Sequence, residues 1–371
     1  MSLRLSILSF SIMLFSVTAM AQTPIITELC LMPAEVLETS GLENGPNDWF
    51  WTHNDSGNPA ELFCVDTTGI TQRHITVVGD FNNDWEEITK DNEGNLYIGN
   101  FGNNSLNRAD LRIVKIPSID TCTGITYVTD TINFTYPDQN SFPPAGTYGN
   151  FDMEAMFHYQ NQLHLFSKDR SSPAVGYSKH YTLPELGGTY VATLVDSVSV
   201  GHTSYVFSIT SADISEDGSQ MALLTSDRIW LFSNFTGTDF FGGDISELTL
   251  SVFSQKEGIC FRNGFLYVTD EQSFGMGGKM YRIDSSIFVS VEDDAAKIEV
   301  KPIYDSNLNL VEFQLPVDQP CEWQLFNTDG KLLQSGNSTN ILSASKFKKK
   351  SGMYVIRLSF KGSQKSLLFK L

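Results

Sequence analysis

The sequence predicts an all-β fold, for three reasons: strand-sized runs, turn residues between them, and internal repetition. Aromatic and β-branched residues dominate the short runs, which are separated by Gly, Asn, Asp and Pro. A strand-turn-strand pattern is repeated five times between residues 38 and 283. Repeats of this kind are typical of the blades of a β-propeller. We therefore expect a five-bladed propeller, followed by a small β-sandwich.

The first 21 residues have the pattern of a removable export signal. Arg4 supplies the charged start, residues 5–17 the apolar run, and residues 19–21 the small-residue cleavage pattern. The apolar run is too short to span a bilayer, and no later stretch approaches that length. We expect a protein without a transmembrane anchor that is secreted or held at the outer-membrane surface.

Charge divides the chain into two parts. The formal net charge is -18, yet residues 297–371 carry 11 Lys and Arg against 6 Asp and Glu, whereas residues 1–296 carry 14 against 37. This shift predicts a propeller over residues 22–291, a linker at 292–296 and a second domain over 297–371. The acidic first part argues against a nucleic-acid partner, since such binders carry clustered Lys and Arg.

The five cysteines show no CxxC or Cys/His spacing, so the sequence does not predict a zinc site. A disulfide is left open, because chain order alone cannot pair them. The glycines of GNFGNN do not predict a phosphate loop, since neither a GK[ST] motif nor a helix follows.

The repeats align on one position near the start of each inner strand. Taking Ser40, Glu86, Glu154, Ala212 and Glu257 as equivalent gives intervals of 46, 68, 58 and 45 residues. Five blades account for every visible strand, and six would need a further blade inside the long second or third interval. A β-sandwich is the alternative fold for the same runs.

The last repeat contains three strand-sized runs instead of four. We expect the run at residues 25–33 to supply the fourth strand, because closure by the first strand removes the open edges of a sheet array.

Acidic residues begin three of the five inner strands. Asp84 and Glu86, Asp152 and Glu154, and Glu257 are expected on one face, which we call the top face; there each inner strand starts and the next strand ends. Alternation puts both acids of Asp-x-Glu on one side of the strand. Oxygen ligands without His or Cys favour a hard cation, calcium outside the cell. Alternatively, these acids accept hydrogen bonds from the backbone of neighbouring blades, or one pair is a catalytic acid and base.

Five further residues at strand ends complete the candidate site. His53 and Asp55, in WTHNDSGN, are candidate catalytic residues, or else they organise a turn. Lys168, Arg170 and Arg108 are candidate substrate-binding residues for a phosphate or carboxylate, or else solvated loop charges.

The C-terminal part resembles the carboxy-terminal sorting domain of proteins exported by the type IX secretion system of Bacteroidetes. The motifs are LFNTDGKLLQSG, SGMYVIRLSF and a basic final strand. The family commonly opens with a Pro-Asn-Pro turn, where this chain has IEVKPIYD. The resemblance implies a β-sandwich whose partner is the type IX secretion machinery. An immunoglobulin-like accessory module is the alternative.

The repeats EEI...NLYIGN, MEAM...QLHLFSK and KEGICF...FLYVTDE resemble exported bacterial propellers of the phytase-like and esterase-like group. More distantly they are similar to five-bladed calcium-dependent apyrases. The latter likeness implies that Glu86, Glu154 and Glu257 are axial calcium ligands, whereas Ser40 and Ala212 depart from the acid of that pattern.

Two functions follow as hypotheses. One is a calcium-dependent hydrolase of a phosphoester or other ester, in which Lys168 or Arg170 holds the anion. The other is a non-catalytic propeller that binds a glycan, a peptide or a partner protein. The sequence does not identify the small-molecule or glycan ligand.

Overall fold

The computed structural model describes most of the predicted propeller and parts of the C-terminal region. It covers residues 26–144, 149–201, 204–250, 254–273 and 275–284, and then 301–305, 310–314, 321–327, 331–338, 341–343, 353–360 and 363–370. The predicted export signal at 1–21 and the linker at 292–296 lie outside the described residues. No helix within the described ranges is long and apolar enough to cross a membrane.

The described residues confirm an all-β chain, with strands joined mainly by turns and loops and two one-turn 3-10 helices. The strands of the repeat region are β1 (Ile26–Leu31), β2 (Thr39–Asn44), β3 (Trp49–Asn54), β4 (Glu61–Asp66), β5 (Thr71–Val78), β6 (Trp85–Lys90), β7 (Leu96–Asn100), β8 (Arg112–Ile116), β9 (Gly124–Tyr127), β10 (Asp130–Thr135), β11 (Asp152–Tyr159), β12 (Gln162–Lys168), β13 (Tyr177–Pro184), β14 (Gly188–Val191), β15 (Thr193–Ser199), β16 (Ser211–Ile214), β17 (Gln220–Leu224), β18 (Arg228–Ser233), β19 (Asp244–Thr249), β20 (Lys256–Arg262), β21 (Phe265–Asp270) and β22 (Lys279–Asp284).

These strands form five sheets, which are the blades of the predicted propeller. Their inner strands are β2, β6, β11, β16 and β20, and each contacts the next around a closed ring. Strand β1 pairs antiparallel with β22, from Ile26 opposite Ile283 to Leu31 opposite Lys279. The expectation that the amino-terminal strand completes the last blade is therefore confirmed.

The long second and third intervals contain extra strands rather than a sixth blade. Strand β9 lies between β8 and β10 of blade 2 but pairs in parallel with β5 of blade 1. Strand β14 lies between β13 and β15 of blade 3 but pairs in parallel with β10 of blade 2. Residues 124–135 thus form two strands, because β9 pairs with the preceding blade and β10 with its own.

Apolar side chains fill the space between neighbouring blades. Five separate clusters of buried residues lie at the five blade boundaries; they include Trp51 with Trp85 and Phe157 with Phe232, and one joins Phe50 to Met280 across the closure. The hydrophobic cores thus hold the inner strands in a ring, which positions the residues at their ends.

A β-bulge interrupts the pairing of four inner strands near the top face. Glu86, Glu154 and Glu257 each lie in such a bulge, opposite a step of one residue in the second strand. In blade 1 the bulge falls on residues 41 and 42, so Ser40 pairs regularly with His53 and is not equivalent to the three glutamates. A bulge changes the direction in which a side chain points. The aligned acidic residue of these blades therefore departs from the regular alternation of its strand.

The C-terminal strands form two antiparallel sheets, of three and four strands, as a small β-sandwich requires. Their order is β23-β24-β27 and β26-β25-β28-β29. The bounds are β23 (Lys301–Asp305), β24 (Leu310–Gln314), β25 (Cys321–Asn327), β26 (Leu332–Ser338), β27 (Ile341–Ser343), β28 (Met353–Phe360) and β29 (Ser363–Lys370).

No disulfide joins the cysteines, all five of which fall within the described residues. Burial raises the pKa of Cys64 to about 12 and that of Cys30 to about 11, so these thiols stay protonated at neutral pH.

Candidate functional site

The top face is built as the sequence suggested, with each inner-strand start beside the end of the second strand. The pairs Thr39 with Asn54, Trp85 with Asn100 and Lys256 with Asp270 stand opposite one another. The residues next to these pairs in the chain therefore lie close together near the axis of the propeller.

Three carboxyl groups from blades 1 and 2 gather on this face. One oxygen from each of Asp55, Asp84 and Glu86 lies within 4.8 Å of the other two. Asp84 and Glu86 belong to the predicted metal-ligand set, whereas Asp55 was predicted as catalytic. The structure brings Asp55 to the acids of the neighbouring blade because it directly follows β3.

Backbone hydrogen bonds hold the two loops of this cluster together. The side-chain amide of Asn82 donates to the carbonyl oxygens of Asn54 and Asp55, both at 2.9 Å. Its Oδ1 accepts a hydrogen bond from the Trp85 backbone at 2.9 Å. Asn82 therefore ties the end of β3 to the start of β6, which fixes Asp55 relative to Asp84.

Gly102, in the GNFGNN loop, leaves the space that the cluster occupies. A Cβ atom at this position would lie 2.1 Å from Glu86 Oε1 and 2.6 Å from Asp84 Oδ2. The Gly102 backbone N–H donates to the Asp84 carbonyl oxygen at 3.2 Å. A side chain at this position would displace the carboxylates of Glu86 and Asp84 from where they now lie, so this glycine belongs to the site, and sequence reasoning missed it.

Burial and neighbouring acids oppose ionisation of the carboxyl groups in this cluster. Burial, with the carboxyls of Asp55 and Asp152, raises the pKa of Asp84 to about 6. Burial and the carboxyl of Glu154, and then those of the other acids, raise the pKa of Glu86 well above its usual range. These carboxyls resist ionisation together, which is the condition that a bound cation relieves.

Acids on the blade 3 side of the axis are paired with cations of the chain itself. Lys168 Nζ lies 3.0 Å from Glu154 Oε2. Arg170 Nε lies 2.6 Å from Asp152 Oδ2, and its Nη2 lies 3.4 Å from Glu154 Oε1. The predicted ligands Asp152 and Glu154 thus contact the predicted anion-binding residues Lys168 and Arg170, which sequence reasoning had assigned to separate roles.

Blade 5 contributes Glu257 and Glu271 to the same face. Burial raises the pKa of Glu257 to about 7, against the charges of Lys168 and Arg170. Glu271, where burial and then Glu257 act, has a pKa of about 9. Glu257 Oε2 is buried without a hydrogen-bond partner, so it is available to a ligand.

The remaining predicted residues lie at the edge of this arrangement. His53 is fully buried and stands edge-on to Trp85, with Nδ1 3.1 Å from the Asn54 carbonyl oxygen. Burial lowers its pKa to about 4, so the imidazole is neutral. Arg108 contacts Asp110 at 3.0 Å and donates to the Gly102 carbonyl oxygen at 2.7 Å. The catalytic role of His53 and the anion-binding role of Arg108 stay predictions.

Glu87 crosses the axis below the cluster and was also missed. Its Oε2 accepts hydrogen bonds from Ser211 Oγ at 2.6 Å and from the Ala212 backbone at 3.2 Å, which joins blade 2 to blade 4. Burial raises its pKa well above the usual range. The doubled glutamate in DWEEITK was the available signal, since a second acid beside Glu86 needs a partner of its own.

Phe81 is an exposed aromatic residue on the loop that leads to Asp84. Its side chain is 80% exposed. Its carbonyl oxygen accepts hydrogen bonds from Asn100 Nδ2 at 2.7 Å and from the Asn83 backbone at 2.9 Å. The backbone is therefore fixed while the ring points to solvent beside the acidic cluster.

The Asp55–Asp84–Glu86 cluster fits a calcium ion. Calcium binds oxygen ligands at 2.3–2.6 Å, so two of its ligand oxygens stand at most about 5 Å apart. The three carboxylates meet this limit and include no nitrogen or sulfur donor. Gly102 keeps the volume next to Glu86 and Asp84 clear of side-chain atoms.

No protein-family model and no curated protein sequence matches this chain. Many solved structures resemble it, and the following three do so at low identity. The PQQ-bound aldose sugar dehydrogenase of Streptomyces coelicolor has 11% identity and a TM-score of 0.42, covering 71% of this chain and 98% of that one. A putative gluconolactonase has 12% identity and a TM-score of 0.37, with coverage of 68% and 76%. A putative 6-phosphogluconolactonase from Bacteroides uniformis has 11% identity and a TM-score of 0.30, with coverage of 85% and 88%. At these values the likenesses carry no argument about substrate, cofactor or mechanism.

Proposed function

We propose that this protein is an exported propeller that binds a divalent cation, calcium by its donor set, on the top face and hydrolyses an ester or phosphoester there. The observation that carries the proposal is the meeting of Asp55, Asp84 and Glu86 within 4.8 Å. Without a cation, the carboxyls of Asp84 and Glu86 are pushed towards their protonated forms, whereas a bound cation would stabilise them as carboxylates.

Each of the three residues would hold the ion with a carboxylate oxygen. Gly102 supports this role, because its missing side chain is what lets Asp84 and Glu86 approach the same point. When bound, the ion would supply Lewis-acid polarisation of an ester or phosphoryl oxygen. Outside the cell calcium is abundant enough for a site of modest affinity to be filled.

The chain's cations would orient the anionic part of a substrate. Arg170 and Arg108 have side chains that are 18% and 16% exposed, so each presents part of its guanidinium group at the face. Lys168 is more deeply buried and contacts Glu154. It would therefore attract a substrate anion electrostatically from a distance, without touching it.

A second candidate function is ligand binding without catalysis. It is favoured by the exposed ring of Phe81, which can stack on a glycan or a peptide side chain beside the acidic cluster. The full burial of His53 also favours it, because a general base must reach the proton that it removes.

Hydrolysis assays on metal-stripped protein separate the two functions. Phosphomonoester, phosphodiester and carboxylic ester substrates are assayed as calcium is added back, with the wild type and Glu86→Gln. The hydrolase proposal predicts calcium-dependent turnover that Glu86→Gln reduces at least about tenfold, because even the residues that support metal ligands typically cost 10–100-fold when removed. Lys179→Met, which removes an ion pair with Asp138 and with none of the candidate site residues, is the control.

Calcium binding without turnover on all three ester classes would support the binding function instead. If calcium neither binds nor raises the melting temperature, the cation site itself is disproved.

We also propose that residues 297–371 direct export through the type IX secretion system of Bacteroidetes. The support is the resemblance of LFNTDGKLLQSG and SGMYVIRLSF to its sorting domains. Deleting 297–371 should leave the protein in the periplasm of a host with this system, whereas the full chain reaches the surface or medium. Secretion of the deleted chain would contradict the proposal.

A further inference from the structure

The top-face acids Asp84, Glu86, Asp152, Glu154 and Glu257, which we call the acidic ring, are not equally paired with cationic side chains. On the blade 3 side, Glu154 contacts Lys168 Nζ at 3.0 Å and Arg170 Nη2 at 3.4 Å. On the blade 2 side, Glu86 occupies the matching bulge, and Arg170 acts on it through its charge. No ion pair with a Lys or Arg joins Glu86 among the described residues, whereas Glu154 has two.

Lys168 is held at this place by the fold. It is the last residue of β12 and pairs across the ladder with Asp152, at the start of inner strand β11. Its side chain is only 11% exposed, and Glu154 beside it is 3% exposed. A buried lysine needs a compensating carboxylate, so the two residues form one unit.

The third glutamate of the ring, Glu257, has an oxygen that remains unused. Glu257 Oε2 is buried without a hydrogen-bond partner, and the residue is 8% exposed. The charge of Lys168 acts on the carboxyls of both Glu154 and Glu257. Lys168 is thus the cation with the larger effect on both Glu154 and Glu257, and Arg170, which contacts the other oxygen of Glu154, is the second.

We propose that the ammonium group of Lys168 is a resident cation that fills the place of a second divalent ion and confines metal binding to Asp55, Asp84 and Glu86. The inference rests on the proposed cation site of that cluster. It also modifies the ligand set expected from the sequence, because Glu154 and Glu257 serve a side chain of the protein rather than calcium.

Removing the charge should open the second site. Breaking a buried ion pair by removing one partner leaves the other as an uncompensated charge. In Lys168→Met, Glu154 regains a ligand oxygen, and the unpartnered Glu257 oxygen provides another. A hard cation with oxygen ligands satisfies both.

Calcium titration of metal-stripped protein by calorimetry, with equilibrium dialysis to count ions, tests this. The wild type should bind one ion per chain, and Lys168→Met and Lys168→Gln should bind two. Lys179→Met, which removes an ion pair with Asp138 and with none of these glutamates, should remain at one, and so should Lys168→Met combined with Glu154→Gln.

Thermal melting gives a second readout. The Lys168→Met protein should melt below the wild type without calcium. At calcium concentrations a hundredfold above the dissociation constant, it should gain about 5 °C more than the wild type does, because two sites are filled instead of one.

The outcomes separate this inference from the proposed function. A wild type that binds no calcium disproves the cation site and the inference with it. If the wild type and the folded Lys168 variants each bind one ion, the cation site stands but the proposed role of Lys168 is overturned. Variants that stay unfolded even in calcium would overturn it too, since calcium should replace the lost charge.

Discussion

At the scale of single residues, the geometry of the site depends on a side chain that is missing. Gly102 is the position where a Cβ would overlap Glu86 Oε1 at 2.1 Å and press on Asp84. Its backbone has no positive φ that would favour glycine, so the feature that explains it is the space that the two carboxylates occupy. Spacing along a strand predicted Asp84 and Glu86, but the collision depends on how the GNFGNN loop folds back and could not be read from the sequence.

Gly102→Ala should weaken calcium binding at least about tenfold, because Glu86 and Asp84 must move apart to admit the methyl group. Calorimetric titration of calcium measures the loss. Ser105→Ala, an exposed residue of the same loop, should bind as the wild type does. Unchanged affinity in Gly102→Ala would show that the cluster does not hold the ion.

A buried histidine pair in blade 3 should make the fold sensitive to acid. His164 Nδ1 lies 2.9 Å from His180 Nε2, and both side chains are buried among Phe166, Phe240 and other aromatic rings. Burial lowers the pKa of His164 to about 4, and burial with the neighbouring His164 lowers that of His180 to about 3.

The unfolded chain takes up these protons near pH 6.5, before the folded chain does, so this contribution to stability falls as the pH decreases from about 6.5 towards 4. The slope is at most about 1.4 kcal/mol per pH unit for each histidine. His180→Gln should remove about half of the pair's slope, measured by urea unfolding across this range. His74→Gln, at a half-exposed position, is the control. Equal slopes in His180→Gln and the wild type would contradict the prediction.

At the scale of elements, two short strands connect neighbouring blades. Strands β9 and β14 each leave their own repeat and extend the sheet of the preceding blade in parallel. The antiparallel strands of each blade were predictable, because they are apolar runs bounded by turn residues. The two parallel strands were not, since each has four residues and its partner belongs to another repeat.

Gly187→Ala tests the attachment of β14. A Cβ here would lie 1.6 Å from Asp130 Oδ1, whose carboxylate also accepts a hydrogen bond from the Gly187 backbone at 2.9 Å. The exposed carboxylate must turn away and lose this hydrogen bond, which should cost about 0.5–1.5 kcal/mol of unfolding free energy. Leu186→Ala, at a 66% exposed neighbour, should cost little. Equal urea midpoints for the two variants would show that β14 is loosely held.

Bulges are the second feature at this scale. The aligned acidic positions in blades 2, 3 and 5 are the bulged ones. Sequence alignment therefore located them, but strict alternation could not say where they point. This is why the predicted ligand set divides into Glu86, beside Asp55 and Asp84, and Glu154, beside Lys168.

At the scale of the whole molecule, Glu87 joins opposite sides of the ring. It bonds from blade 2 to Ser211 and Ala212 of blade 4 and is 1% exposed. Neighbouring blades are held by apolar clusters, whereas this contact spans the axis directly. Five blades and the closure by β1 could be predicted from the repeats; a bond across the axis depends on the closed ring and could not.

Glu87→Ala should lower the unfolding free energy by about 2–4 kcal/mol, because it leaves buried donors unsatisfied and opens a cavity. Glu87→Gln keeps an oxygen that can accept from Ser211 and Ala212, so it should cost clearly less. Urea unfolding measures both. Equal losses in the two variants would show that the hydrogen bonds to blade 4 contribute little.

The central claim is that the cluster of Asp55, Asp84 and Glu86 binds a divalent cation, and counting bound calcium tests it most directly. Metal-stripped wild-type protein titrated calorimetrically should bind one ion per chain, and Asp84→Asn combined with Glu86→Gln should bind none. Asp110→Asn, at an exposed acid of a nearby loop, should retain the ion. A wild type without a calcium ion, or a double variant that binds it as tightly, would contradict the account.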